Sequence, residues 1–249
     1  LTLMTTAKLK TGEQITVLDT PGHEAFMKMR KRGAQLTDIA VLVVAADDGV
    51  QEQTLEAIKH IQEAKLPMIV ALNKIDKRDA DPEKVRIQLN KAGIQLEDFG
   101  GDIPTIEISG LTGKGVDKLQ ELIATQAGLM DLRADRSGPA EAAVIESRKD
   151  NKLGVIVKTL VQIGTLKRND IFVCGETWGR VRWMFDAEGK RVETAVPGFP
   201  YDIHGFEDVP EPGDTLIVVE DESTAQSIAE FRKAERADNI NQLAYLEQQ

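Results

Sequence analysis

Cysteine is almost absent from this chain. Cys174 is the only one in 249 residues, so no disulfide framework can form and a reducing interior compartment is expected. Aromatics are scarce at 4%, so the core must be built from aliphatic side chains. Long apolar runs are missing too. The longest, Ile39 to Ala46, has the length of a strand and cannot span a bilayer, so no membrane partner is expected. There is no basic excess: the net charge is −10 and no segment forms a basic arm. Any nucleic-acid contact must therefore come from local clusters. No amino-terminal targeting segment is legible, and the chain opens on Leu1 rather than Met. Finally, the phosphate-loop pattern G-x-x-x-x-G-K-S/T occurs nowhere.

What is present fits a globular chain of one large or two ordinary domains, with 41% hydrophobic and 29% charged residues. The first 18 residues read as two strands around a turn at Thr11-Gly12, the second (Gln14 to Leu18) running into Asp19. A helix is expected over His23 to Arg32, with Ala25, Phe26 and Met29 on its apolar side. Ile39 to Ala45 and Pro67 to Leu72 are continuous apolar runs, the pattern of strands buried on both faces. Helices are expected over Gln51 to Lys65, Asp81 to Ala92 (with Pro82 in its first turn) and Val116 to Ala127, and a strand over Ile103 to Ile108. This alternation predicts a mainly parallel sheet with helices on both faces, whose ligands sit beyond the carboxyl ends of its strands. Asp19, Asn73 and Ser109 each end or follow a predicted strand, and so are expected together at one edge.

The pattern changes after Leu132. Arg133 to Pro139 reads as a linker. Short strands follow at Ala143 to Glu146, Gly154 to Val161, Asp170 to Cys174, Gly179 to Met184 and Thr215 to Val219, as in a small β-barrel. From Ser223 onward the chain reads as one helix, with Ala225, Ile228, Ala229 and Phe231 as its apolar side. The expected division is residues 1–135, 136–220 and 221–249.

Two strings carry chemistry. In Asp19-Thr20-Pro21-Gly22-His23, the Asp19 carboxylate suits Mg²⁺ held through water. Gly22 lets its N–H approach a phosphate oxygen, and Pro21 stiffens the turn. A neutral His23 can orient a water beside a terminal phosphate; as an isolated residue it equally suits a helix start. In Asn73-Lys74-Ile75-Asp76, the Asp76 carboxylate can accept from guanine N1–H and the exocyclic amine, a donor pair adenine lacks. Asn73 can meet the ring's acceptor edge, and the Lys74 stem can lie along the base plane. Ser109-Gly110-Leu111 suits a third loop touching the base through its backbone, and equally a plain glycine turn. Lys28, Arg30, Lys31 and Arg32 form either an RNA contact or a solvated helix face. Trp178 and Trp183 flank Arg180 and Arg182, which suits barrel packing or stacking on bases.

The wording of several segments goes further. Leu18 to Phe26 resembles the translational GTPases. Arg32-Gly-Ala-Gln35, Val41 to Gly49, Ala80 to Lys84, Val144 to Ser147, Gly164-Thr-Leu166, Met184-Phe-Asp186 and Pro212-Gly-Asp214 resemble initiation factor two of bacteria and mitochondria. The resemblance covers nearly the whole chain. It implies a partial GTP-binding domain, a β-barrel domain two and a linker helix, and a protein that uses GTP/GDP and Mg²⁺. It further implies a factor that places initiator formylmethionyl-tRNA on the small ribosomal subunit, promotes subunit joining and hydrolyses GTP, with rRNA of both subunits as partner. Asp19 to His23 then match the second switch, with Asp19 on the metal and His23 catalytic; Asn73, Lys74 and Asp76 match the guanine reader; Ser109, Gly110 and Leu111 match the third base loop, where the family more often has Ser-Ala-Lys. The phosphate loop and first switch would precede Leu1, and the domains holding initiator tRNA would follow Gln249. We therefore expect a middle piece of such a factor, unable to bind GTP well alone, placed in the mitochondrial matrix or alternatively in the bacterial cytoplasm. An elongation factor and a non-enzymatic ribosome-docking segment are the other readings.

Overall fold

Five consecutive apolar residues, Met68 to Leu72, are buried and run down the centre of a three-stranded parallel sheet. The computed structural model describes residues 3–9, 12–19 and 36–246, with side chains over 4–9, 12–19 and 36–238. The expected helix over His23 to Arg32, and with it the Lys28 to Arg32 cluster, lies outside the described residues. In the sheet, β3 (Ala40–Ala45) pairs with β4 (Met68–Asn73) from Ala40↔Met68 to Ala45↔Asn73, and β4 with β5 (Thr105–Glu107) from Val70↔Thr105 to Leu72↔Glu107. Alternate residues of β4 explain its complete burial. Met68, Val70 and Leu72 join a cluster with Ile58 and Ile61 of α1 (Glu52–Glu63) and Val85 and Leu89 of α2 (Pro82–Lys91); Ile69 and Ala71 are equally buried on the other face. A third helix, α3 (Val116–Met130), packs against β4.

Two expectations change here. β3 is not buried on both faces: Leu42 and Val44 are buried, but Val43 is 55% exposed, because β3 is the edge of this sheet among the described residues. And β2 (Gln14–Asp19) pairs with β1 (Leu3–Lys8) in a two-stranded sheet of its own. Asp19 does end a strand, but among the described residues that strand pairs with β1 and not with the parallel sheet, and the edge described there holds Asn73 and Ser109.

Local chemistry sets the helix limits. Asp81 caps α2 by accepting the Lys84 N–H (3.0 Å), and Pro82 occupies the first turn, where its missing N–H costs nothing. Arg86 on α2 is gripped by Glu83 (2.6 Å), Asp98 (3.0 Å) and Glu107 of β5 (2.8 Å), which fixes the short β5 to the helix layer.

Residues 133–249 cluster as a separate unit from 18–132. Six antiparallel strands close into a barrel in the order β6 (Glu141–Asp150), β7 (Gly154–Ile163), β13 (Pro200–Phe206), β10 (Thr177–Phe185), β9 (Ile171–Cys174) and β14 (Thr215–Val219), which returns to β6. The two-residue β11 (Arg191–Val192) pairs with β10, and β8 (Leu166–Lys167) pairs with β12 (Thr194–Ala195) in a two-stranded sheet of their own. Val144, Val157, Phe172, Val181, Met184, Ile203 and Leu216 fill the interior, and Cys174 is buried with them. The long α4 (Glu222–Leu246) starts at Asp221, which accepts the Thr224 N–H (2.8 Å), and lies against β9, β10 and β14. Among its described side chains Ala225 and Ala229 are buried; Phe231, expected on the same side, is 68% exposed, so the docked stripe there is one of small residues. Trp183 stands partly exposed with the guanidinium groups of Arg168 and Arg191 over its ring at 4.4 and 3.6 Å.

Barrel closure requires two glycines. The β10–β13 register breaks between Gly179 and Trp183. A Cβ at Gly179 would lie 2.2 Å from the Gly205 carbonyl oxygen and 2.9 Å from the Phe172 ring, and one at Gly205 would lie 1.9 Å from the Arg180 carbonyl oxygen. Backbone cannot yield cheaply at those distances. We predict that Gly179→Ala destabilises the barrel by roughly 2–4 kcal/mol. Gly154→Ala, where φ is +77° but nothing lies within 4 Å, serves as comparison, and about 1–2 kcal/mol is expected there. Urea unfolding of both variants checks the difference.

Candidate functional site

The carboxyl ends of β4 and β5 form a connected polar edge. Asn73, the last residue of β4, accepts with Oδ1 from its neighbour's N–H at Lys74 (2.8 Å) and from the N–H of Gly110 beyond β5 (2.9 Å). One side-chain oxygen thereby joins two loops. Its amide N–H₂ can donate to a ligand's acceptor. Lys74 has φ +66°, a conformation non-glycine residues seldom adopt, and these bonds hold it there.

Asp76 is exposed, and one carboxylate oxygen accepts the Ser109 hydroxyl proton at 2.5 Å. Ser109 is fully buried and its hydroxyl also accepts the Thr112 N–H (3.1 Å). The Ser109-to-Lys114 turn is closed by Ser109 N–H to Lys114 C=O (2.9 Å) and Gly113 N–H to Ser109 C=O (2.8 Å). The result is a carboxylate oriented by a buried donor, with its remaining lone pairs open to solvent. It can receive a pair of parallel N–H donors from a planar base. Gly110 and Leu111 are exposed, Leu111 at 87%, so at these two positions the loop offers its backbone.

On the other side of β4, the turn after β3 carries Asp47 and Asp48. Lys74 Nζ lies 3.3 Å from Asp47 and 3.2 Å from Asp48, and Lys77 is paired to Asp47. The Lys77 ammonium, and after it that of Lys74, holds the Asp47 carboxyl below the usual carboxylate range. Lys74 is pushed up by Asp48 first and Asp47 second. The turn is sewn to the β4 end by Ala46 N–H to Asn73 C=O (2.8 Å) and Asp81 N–H to Ala46 C=O (2.9 Å).

Of the residues singled out in the sequence, Asn73, Lys74, Ile75, Asp76, Ser109, Gly110 and Leu111 therefore lie on two neighbouring loops. Asp19 sits exposed at the end of β2; Thr20, Pro21, Gly22 and His23 lie outside the described residues. Sequence reasoning missed Asp47 and Asp48, though Asp47-Asp48-Gly49 directly follows the β3 run.

Residues 2–128 match the family described as Elongation factor Tu GTP binding domain, and residues 139–219 that described as Elongation factor G domain 2. Translation initiation factor IF-2 of Cereibacter sphaeroides is 53% identical over 226 residues, 91% of this chain and 27% of that protein. The IF-2 of Aquifex aeolicus is 51% identical over 229 residues, 92% of this chain and 28% of that protein. The chain thus spans about a quarter of the length of these relatives. Among solved structures, GDP-bound aIF5B from Aeropyrum pernix superposes with a TM-score of 0.71 at 27% identity, over 90% of this chain and 46% of that one. The elongation factor SelB from Methanococcus maripaludis, in complex with the GTP analogue GPPNHP, gives 0.72 at 22% identity over 89% of this chain and 49% of that one, a likeness of fold alone.

The edge makes a paired prediction. Ser109→Ala removes the donor to Asp76 and the acceptor for Thr112, and is expected to cost roughly 1–2 kcal/mol. At Gly110, an added Cβ would meet Asn73 Oδ1 only at 3.6 Å, an ordinary contact. Gly110→Ala is therefore expected to leave stability unchanged or raise it by up to about 1 kcal/mol. Thermal denaturation of the two variants beside the parent checks both.

Proposed function

We propose a function from one premise: this chain belongs to the translational GTPases, and within them to the IF-2 type. In our reading it supplies the base-selecting part of the GTP-binding domain, and domain two, of an initiation factor. The whole factor helps place initiator formylmethionyl-tRNA on the small ribosomal subunit, promotes subunit joining and hydrolyses GTP. The division into residues 1–135, 136–220 and 221–249 is part of this proposal. So is a bacterial cytoplasmic setting, which the bacterial relatives favour over the mitochondrial matrix.

The observation that carries the reading is the network in which Asn73 Oδ1 holds the Gly110 N–H while Ser109 holds Asp76. It aims one carboxylate and one amide N–H₂ at the same open edge. In this assignment Asp76 accepts from guanine N1–H and the exocyclic amine, Asn73 donates to the ring's acceptor edge, the Lys74 stem covers a face of the ring, and the backbone of Ser109, Gly110 and Leu111 lines the far side.

The phosphate end falls to Asp19, Thr20, Pro21, Gly22 and His23. Asp19 is a single exposed carboxylate, and no cluster of three or more acidic, His or Cys ligands occurs among the described residues. That sparse set fits Mg²⁺, which keeps several waters and takes its other ligands from the nucleotide, and does not fit an all-protein metal cage. Mg²⁺ bound there would neutralise phosphate charge. Gly22 offers an N–H to the γ-phosphate, and His23 orients the attacking water, so that GTP and water yield GDP and phosphate. Within the 249 residues no phosphate loop is present, and alone they are expected to hold the nucleotide weakly.

Calorimetry of the 249-residue chain with GTP and GDP tests the last point; a micromolar dissociation constant would contradict it. In the full-length protein, Asp76→Asn is expected to shift preference from guanine toward xanthine nucleotides by at least about tenfold. Intact guanine selectivity in that variant would remove Asp76 from the role.

A further inference from the structure

The guanine-reading motif contains one strongly flexible side chain. A lysine has four rotatable methylenes and is a poor wall for a ring unless its far end is held. Lys74 leaves the backbone between Asn73 and Asp76, yet its ammonium is found against Asp47 and Asp48, in the turn after β3. Since β4 lies between β3 and β5, the stem of Lys74 runs from the Asp76–Ser109 side across the end of β4 to the β3 side.

The two carboxylates are not equivalent anchors. The Asp48 side chain is 59% exposed and that of Asp47 5%. Asp48 accepts the Lys74 hydrogen bond (3.2 Å), but a pair open to solvent is screened and adds little, whereas the ion pair to Asp47 meets a carboxylate with few positions to take. The Asp47 turn is also bonded to the β4 end through Ala46 N–H to Asn73 C=O, so anchor and reader belong to one rigid corner. The other oxygen of Asp47 is occupied by Lys77.

We propose that Asp47 is a positioning residue for nucleotide recognition: its buried carboxylate holds the Lys74 ammonium so that the lysine stem lies fixed across the face of the bound base. The inference rests on the guanine-reading assignment given above. It places the control of base stacking in the turn after β3, outside the motif that contacts the base edge. Asp47 touches no nucleotide in this account; it acts through Lys74.

The test is a double-mutant cycle in the full-length protein, read as GDP affinity by calorimetry, with thermal denaturation of each variant alongside. Asp47→Asn keeps the size of the side chain and is expected to weaken GDP about fivefold, the effect of losing one charge-assisted contact. In a Lys74→Met background the same substitution is expected to change GDP affinity by less than about twofold, since the side chain it positions is gone. Lys77→Met removes the other partner of Asp47 and is expected to leave GDP affinity within about twofold. Full additivity of Asp47→Asn and Lys74→Met overturns the proposal, and so does a Lys77→Met loss equal to that of Asp47→Asn, which would mark Asp47 as a general stabiliser of the corner. Asp76→Asn, run in parallel with xanthosine diphosphate, separates the two levels. If it fails to switch selectivity, the guanine reading falls and the role of Asp47 falls with it; if it switches while the cycle is additive, only the role of Asp47 is lost.

Discussion

The polar edge at the carboxyl ends of β4 and β5 depends on the burial of β4. A strand with apolar side chains packed on both faces cannot slip by one residue without exchanging every contact. Met68 to Leu72 are all of this kind, so the point at which the strand leaves the core is fixed. Asn73 stands at that point. Because its Oδ1 takes two N–H donors, the fixed position of one strand end becomes the fixed geometry of two loops. The left-handed turn at Lys74 carries a cost of about 1–3 kcal/mol, which these bonds and the ion pairs to the β3 turn offset. Arg86 adds a brace from the helix layer through Glu107, so β5 and the Ser109 turn beyond it keep their place beside β4.

The barrel reaches rigidity by another route. Its interior is aliphatic, with Phe172 and Phe206 (centroids 4.5 Å apart) the aromatic contact beneath the point where Gly179 passes Gly205. Backbone-to-backbone approach there lets β10 turn between β13 and β9, which closes the ring and leaves no free edge among the six strands. Among its described side chains, helix α4 buries Ala225 and Ala229 on this unit and is further held by arginines: Arg180 to Glu222 (2.6 Å), Arg232 to the Gly175 carbonyl (3.0 Å), and Arg236 to Glu176 and Glu211 (2.9 and 2.8 Å). Small residues allow close approach, and charge supplies the direction.

The parallel sheet was legible because its strands announce themselves as apolar runs that end in polar motifs; Met68 to Asn73 is the clearest case. The barrel was legible only in part. β13 went unseen because Pro200, Asp202 and Gly205 mask it: Pro200 opens the strand, Asp202 faces outward, and Gly205 serves the closure. Strand β6 runs on to Asp150 through Arg148 and Lys149, since a hairpin ladder with Gly154 sustains it where side-chain preference does not. Phe231 looked like core because helical spacing gives the side of a helix but not how wide a stripe its partner covers. At the candidate site, the meeting of Asn73 and Ser109 at one sheet edge was readable from the polar residues that follow the apolar runs. The anchoring of Lys74 by Asp47 was not, because it joins residues 27 positions apart across two strands and has no local pattern.

The same geometry separates two tasks that a nucleotide site must perform. Asn73, Lys74, Asp76 and Ser109, with Asp47 behind them, all belong to the ends of β3, β4 and β5. Asp19, the described member of the phosphate-side string, ends a strand of another sheet. The edge is held by its own hydrogen bonds, so in the proposed reading a ring binding there orders little and the penalty for a wrong edge falls on Asp76, which would be left facing an acceptor. In the function proposed above, selectivity therefore resides in the edge. Most of the affinity for a nucleotide, whose charge sits on its phosphates, then depends on groups outside this edge, with Lys74 and Asp47 adding the smaller share proposed above. A substitution at the ends of β4 or β5 should then change which base is chosen before it changes how strongly the phosphates are held, and that ordering follows from the topology of the strands.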